Sequence, residues 1–150
     1  MKRIDLISQG WNYDSTPEPG VEIRQEIHME ESGEYLFQSF VYDKKKNLEL
    51  PKRKRKGQIP RESFTRLFRL LKQAVKENCF EHLSYIQPWK LTLMDSDETQ
   101  IRATGSMSGK VYADSLDMTE YIRDLLQIEN CFVFNNIDRE DIGFGCYCAE

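Results

Sequence analysis

The stretch VEIRQEIHMEESGEYLFQSFVYD, residues 21–43, decides the fold of this 150-residue chain. Residues 21–30 alternate apolar side chains such as Ile23 and Ile27 with charged ones, a period of two that predicts a half-buried β-strand. Residues 31–34, Glu-Ser-Gly-Glu, predict a turn, and the aromatic-rich residues 35–43 predict the returning strand. The stretch therefore predicts an antiparallel hairpin with one buried and one solvated face.

Working outward from this hairpin, four shorter runs also predict strands. They combine β-branched, aromatic and leucine residues and are bounded by turn-forming ones. The residues between 95 and 99 are acidic and polar, as in a tight turn that joins two of these strands. The four runs are residues 4–11, 89–95, 99–104 and 131–134.

Two segments show the apolar spacing of amphipathic helices. Pro60 suits the first turn of one helix, and Asp117, with Glu120 three residues later, suits the N-cap of the other. The predicted fold is α+β, an antiparallel sheet with two main helices packed on one face, in a single domain spanning residues 1–150. The apolar stripes are Phe64, Leu67, Phe68, Leu71, Ala74 and Val75 in the first helix and Met118, Tyr121, Ile122, Leu125 and Leu126 in the second.

Charge is distributed very unevenly along the chain. Residues 44–76 hold 13 of the 21 Lys and Arg residues and two of the 25 Asp and Glu residues, so this segment carries +11 and the remainder −15. The formal net charge of −4 conceals this separation. Such asymmetry bears on binding partners more than on fold.

We expect residues 44–57 to form an exposed basic loop, since they show no apolar periodicity. With the apolar stripe of the first helix turned inward, its basic side chains face water and lie beside the loop. Loop and helix then present one basic surface. The candidate partner-binding residues are Lys52, Arg53, Lys54, Arg55, Lys56, Arg66, Arg69, Lys72 and Lys76.

Three interpretations of this basic surface remain open from the sequence. It binds an acidic protein or an anionic membrane surface; it binds nucleic acid, since dense positive charge releases counterions from a polyphosphate; or it is solvated or docks on the chain's own acidic strands. No nucleic-acid recognition motif accompanies the charge. We favour an acidic protein partner, with nucleic acid as the alternative. The acidic positions nearest in sequence are Glu18, Glu22, Glu26, Glu30, Glu31 and Glu34.

The residues that bear catalytic or metal-binding chemistry are sparse. His28 lies on the polar side of its predicted strand, and no nucleophile–histidine–acid set has a recognisable spacing. Cys79, His82, Cys146 and Cys148 are chemically suited to zinc, but their spacing is not that of zinc-binding turns. We therefore predict free thiols, no metal, no cofactor and a non-enzymatic interaction or accessory, immunity-like protein. Residues 138–150 are expected to form a loosely held tail.

Nothing in the sequence predicts export or membrane insertion. The apolar run near Ile4 is broken by Asp5 and is too short for a signal peptide, and no run reaches the length of a spanning helix. We expect a cytoplasmic protein, and the residues do not specify its oligomeric state.

The sequence WKLTLMDSDE at residues 89–98, followed by Gly105 and the helix after Asp117, resembles an element of small uncharacterised bacterial α+β proteins. The resemblance covers about a third of the chain and rests on packing residues. It departs from the pattern at Asp97 and Glu98, where Asp-Gly is expected. It implies a small bacterial protein of α+β fold and transfers no functional residue.

Overall fold

The computed structural model describes residues 1–10, 17–78, 80, 82–83 and 86–135. These residues form an α+β fold, as the sequence predicts. The elements are β1 (Arg3–Gln9), β2 (Glu22–Glu30), β3 (Glu34–Asp43), β4 (Leu48–Gln58), α1 (Arg61–Glu77), β5 (Pro88–Met94), β6 (Gln100–Ser106), β7 (Tyr112–Ala113), β8 (Leu116–Asp117) and α2 (Met118–Leu126).

The main sheet has six antiparallel strands in the order β4-β3-β2-β1-β5-β6, and β7 and β8 form a separate small ladder. The predicted hairpin is confirmed: β2 pairs with β3, and Ile27 lies opposite Phe37. β1 lies at the centre, paired with β2 on one side and β5 on the other. The two edges of the sheet are therefore β4 and β6.

One face of the main sheet carries the hydrophobic core. Trp89, Phe37 and Met29 are at most 1% exposed, and the apolar faces of both helices join the same cluster. Phe64 and Leu67 of α1 are fully buried, as their spacing predicts. Neither helix of the described residues lies against the opposite face, and its side chains, including Phe40, are only half-buried.

The start of α2 follows the predicted capping chemistry. The Asp117 side chain accepts hydrogen bonds from the N–H groups of Thr119 (3.0 Å) and Glu120 (3.4 Å). These are among the donors that a helix leaves unpaired at its first turn. The N-cap assignment made from sequence is confirmed.

The predicted strand at residues 131–134 is wrong. These residues form an irregular turn in which Val133 has a φ of 56° and Phe134 is fully buried. Side chains of the sheet supply hydrogen bonds that a ladder would otherwise provide: the Ser8 hydroxyl donates to the Val133 carbonyl (2.5 Å), and the Gln25 carbonyl oxygen accepts from the Phe132 N–H (2.8 Å). The apolar run is therefore core filling rather than a sheet strand.

The prediction of a basic loop at residues 44–57 is also wrong. Only a short turn separates β3 from β4, and β4 continues for eleven residues through the basic sequence. β4 is an edge strand that buries neither face deeply, so its sequence lacks the apolar alternation of an inner strand. The predicted exposure is correct, since Lys52, Lys54 and Lys56 are all exposed.

In the described part of the chain, no helix has the length and apolarity needed to cross a bilayer. The predicted tail at residues 138–150 lies outside the described residues.

Candidate interaction surface along the edge strand

Strand alternation divides the basic residues of β4 between the two faces of the sheet. Arg53 and Arg55 lie opposite Ser39 and Phe37, on the side that carries the helices. Lys54 and Lys56 lie opposite Gln38 and Leu36, on the side without helices.

Arg53 is held by an ion pair inside the fold. Its Nε and Nη2 donate to the two carboxylate oxygens of Glu22 at 2.6 and 2.7 Å, and its guanidinium lies 5.0 Å from the centre of the Phe37 ring. Burial alone would raise the pKa of Glu22, but hydrogen bonds from Arg53, Ser39 and Gln25 and the charge of Arg53 lower it below its usual value. Arg53 therefore has a structural role in the fold, and its part in binding a partner stays a prediction.

Arg53 and Arg55 also bind the chain that leaves α2. Arg53 donates to the Glu129 carbonyl (2.7 Å), and Arg55 donates to the Gln127 carbonyl (3.1 Å). Gln127 is the C-cap of α2, where carbonyl groups lack helical partners and the helix dipole favours positive charge. Two of the five basic residues 52–56 thus tie the edge strand to the segment that follows the second helix.

Lys52 lies at an irregularity in the strand. The register between β3 and β4 shifts at this point, so that Ser39 pairs with Arg53 but Phe40 pairs with Pro51. Lys52 is the extra residue of a β-bulge, a place where proline is tolerated in a strand. Its Nζ donates to the Gly20 carbonyl at 2.5 Å.

The remaining basic side chains of the β3–β4 hairpin have no such partners. Among the described residues, none of them forms an ion pair. The direct cross-strand neighbours of Lys54 and Lys56, Gln38 and Leu36, are neutral. Among the described residues, neither lysine therefore has a charged group directly opposite it or an ion-pair partner. We refer to these exposed side chains as the lysine edge: Lys44, Lys45, Lys46, Lys54 and Lys56.

β4 also has backbone hydrogen-bonding groups that point away from β3, the strand it pairs with. The N–H of Arg53 donates to the Ser39 hydroxyl and that of Ile59 to the Gly33 carbonyl, so the odd-numbered amides point toward β3. Alternation then turns the N–H and C=O groups of Lys54, Lys56 and Gln58 away from the sheet. Within the described residues no other strand pairs with β4.

An open groove of about 440 Å³ runs beside the strand on the helix side. Phe37 forms part of its wall from the sheet, residues 53–55 border it from β4, and residues 127–129 border it from the segment after α2. β4 thus has charged lysines on one side and a partly apolar groove on the other.

The basic residues of α1 are placed differently. Lys72 donates to Asp95 at 3.0 Å, which lowers the pKa of that carboxyl, and Arg69 lies 3.8 Å from Asp114. Arg66 lies over the Tyr121 ring. Of the four candidate residues on this helix, Lys76 alone has no ion pair or ring contact within the described residues.

The single basic surface predicted from sequence is therefore divided into parts. Arg53 and Arg55 bind the protein's own carboxylate and carbonyl groups, and three of the four α1 residues have nearby partners. Within the part of the chain that the structure describes, the lysine edge is a part of this surface that forms no ion pair. Its separation from Arg53 and Arg55 follows from strand alternation, which the interpretation as a loop did not take into account.

On the open face, one histidine bridges two acidic residues. His28 Nδ1 lies 2.6 Å from Asp5 Oδ1, and Nε2 lies 3.1 Å from Glu26 Oε1. The hydrogen bond to Asp5 raises the pKa of His28, partial burial opposes it, and the contact with Glu26 adds to the rise. Burial would raise the pKa of Asp5, but hydrogen bonds and charge from His28 and Arg3 lower it. His28 points to the sheet surface, as predicted.

This histidine is expected to make stability depend on pH. Because its pKa is raised in the folded protein, its stabilising effect is complete below the ordinary value of 6.5 and is lost as pH rises through the folded pKa. The effect is at most about 1 kcal/mol, since the side chain is 36% exposed. Urea unfolding of the wild type and His28→Gln at pH 6 and 9 measures it. The stability advantage of the wild type should shrink at pH 9; an advantage that does not change with pH contradicts the assignment.

The predicted free thiol is observed at Cys131, which is 2% exposed and whose pKa burial raises to about 11. Cys79, Cys146 and Cys148 lie outside the described residues, and His82 is exposed. The described residues contain no cluster of His, Cys, Asp or Glu able to hold a metal ion.

Comparison with known proteins yields no family model that matches the chain and no curated protein that matches it. Function must therefore be inferred from the placement of the residues themselves.

Proposed function

We propose that this protein is a non-enzymatic interaction or accessory, immunity-like module that binds an acidic protein partner through the lysine edge. The observation that carries the proposal is the division of charge along β4. Arg53 and Arg55 form hydrogen bonds within the protein. Lys54 and Lys56, next to them in sequence, have neutral cross-strand neighbours and form no ion pair among the described residues. Positive charge that forms no ion pair within the described residues can attract a complementary acidic surface.

A protein partner fits this arrangement better than nucleic acid. A duplex or single strand is held by a continuous basic track along its phosphates. Here the basic residues point to opposite faces of the sheet, and the open face beyond Lys54 and Lys56 carries Glu26 and Asp5. These carboxylates repel phosphate but allow a partner whose negative charge is confined to a narrow strip.

Capture from nuclease-treated cell extract tests the proposal. Reversing charge with Lys54→Glu and Lys56→Glu should remove a captured protein, because attraction becomes repulsion at a closely matched interface. The matched control reverses two other exposed lysines, Lys90→Glu and Lys110→Glu, which lie away from β4. Mass spectrometry compares the three samples, and the control should retain the partner.

Two outcomes would contradict the proposal that an acidic protein binds the lysine edge. If both double variants capture the same proteins as the wild type, the lysine edge has no role in binding. If capture vanishes with nuclease, and mixed-sequence DNA or RNA binds with an affinity that falls steeply between about 0.05 and 0.2 M salt, the partner is nucleic acid.

A further inference from the structure

We propose that the partner binds as an added β-strand: an extended acidic segment pairs with the outer edge of β4 at residues 54–58. This inference rests on the proposed function and specifies how the partner is held. In strand addition, main-chain hydrogen bonds supply affinity and alternate side chains supply specificity. The structure offers groups for both.

The main-chain groups are available over a short, defined length. The N–H and C=O groups of Lys54, Lys56 and Gln58 point away from β3, as the inward amides of Arg53 and Ile59 require. The bulge at Lys52 interrupts the edge on one side. Pro60, which lacks an N–H, leads into α1 on the other. About three residues of an incoming strand can therefore pair without distortion.

The side chains on the open face select for negative charge. Lys54 and Lys56 are two residues apart on the same side of the strand. A strand pairing with β4 places every second side chain beside them. Carboxylates at alternate positions of the partner therefore meet these lysines, and opposite charges at cross-strand positions stabilise pairing.

The other side chains of an added strand point toward the groove. This groove is lined by Phe37, by residues 53–55 and by residues 127–129, including Ile128. It receives small polar or apolar side chains. The expected motif is thus an extended segment in which Asp or Glu alternates with residues such as Thr or Val.

The same lysines disfavour pairing of β4 with a second copy of itself. Such pairing brings Lys54 and Lys56 of the two copies close together, and like charges at cross-strand positions are destabilising. Lysine on an edge strand is a common protection against self-association. The edge of β4 therefore disfavours pairing with a second copy of itself and favours pairing with an acidic strand.

Fluorescence anisotropy with the full chain tests strand addition. The probe is a labelled nine-residue peptide of alternating Glu and Thr, compared with the same peptide N-methylated at alternate residues along one edge. N-methylation leaves the charge unchanged but removes donors needed for pairing. We expect roughly tenfold weaker binding of the methylated peptide.

A pair of protein variants separates charge from the main-chain bond. Lys56→Gln and Lys56→Pro both remove the lysine charge, but only proline removes the outward N–H. Because that N–H does not face β3, proline is compatible with the edge strand. We expect Lys56→Pro to weaken binding several-fold more than Lys56→Gln. The peptide comparison keeps the test valid should the proline variant fold poorly.

The outcomes distinguish the two proposals. If binding depends on Lys54 and Lys56 but is equal for methylated and unmethylated peptides, strand addition is overturned and the acidic partner stands. If no acidic peptide binds in a lysine-dependent manner, both are overturned. Loss of binding with methylation and with Lys56→Pro supports both.

Discussion

Replacing Trp89 with Ala is expected to lower the free energy of unfolding by about 3–5 kcal/mol, as for large aromatic side chains in well-packed cores. Trp89 is 1% exposed and makes edge-to-face contacts with Phe80 at 5.0 Å and Phe134 at 4.8 Å between ring centres. Its ring also covers Gly105 on the neighbouring strand, so closely that a Cβ at Gly105 would lie 2.7 Å from it. Truncation leaves a cavity that this glycine cannot fill.

Equilibrium urea unfolding measures the effect, and Phe40→Ala is its matched control. Phe40 is an aromatic strand residue on the open face, half-buried and stacked against Arg24 at 4.2 Å. Its loss should cost about 1 kcal/mol. Similar costs for the two variants would contradict the assignment of a single buried face to the sheet.

Replacing Arg53 with Ala is expected to lower the free energy of unfolding by about 2–4 kcal/mol. The change removes the paired hydrogen bonds to Glu22 and the bond to the Glu129 carbonyl. It also leaves the Glu22 carboxylate, only 10% exposed, without its counter-charge. An uncompensated charge in such a position is costly. Arg53→Lys should recover only part of the loss, because lysine cannot match both carboxylate oxygens.

Lys54→Ala provides the control for Arg53. The two residues are adjacent on β4 and differ in the face they occupy. Lys54 has no ion pair within the described residues, so its loss should change stability by no more than about 0.5 kcal/mol. Binding of the acidic peptide should show the reverse order, with the larger loss for Lys54→Ala. Equal destabilisation by the two variants would contradict the assignment of Arg53 to fold stability and of Lys54 to binding.

The parts of the fold that could be predicted from sequence are those in which burial of one face produces a regular spacing of apolar residues. The alternation in β2 and the stripe in α1 are direct consequences of one face packing on the core. The Asp117 cap could be predicted because it depends on residues adjacent in sequence. In each case local sequence contains the physical cause.

β4 could not be predicted from periodicity, because an edge strand held by main-chain pairing to β3 buries little side-chain surface. One signal was available. Asp43 accepts hydrogen bonds from the N–H groups of Lys45 and Lys46, and Asn47 adopts a left-handed φ of 52°. Aspartate and asparagine so placed are typical of turns, and they mark the reversal that leads into β4.

The roles of Arg53 and Arg55 depend on contacts between residues far apart in sequence. Docking of the basic segment on the chain's own acidic strands was one open interpretation, and Glu22 was among the residues named for it. Within the described residues, Arg53 is the one basic residue of β4 that forms an ion pair with an acidic strand residue. The carbonyl groups after α2 gave no sequence signal, because any residue supplies them.

The central position of β1 has a consequence for synthesis of the chain. Arg3 pairs with Glu30 in β2 and with Met94 in β5, so β1 acquires its second neighbour only after β5 has been synthesised. Until then the nascent sheet ends at β1, with an uncovered edge in place of its eventual centre. Pairing between such distant segments is slow compared with local hairpin formation. Translation of α1 and the segment that follows it therefore sets how long this edge stays open to other chains.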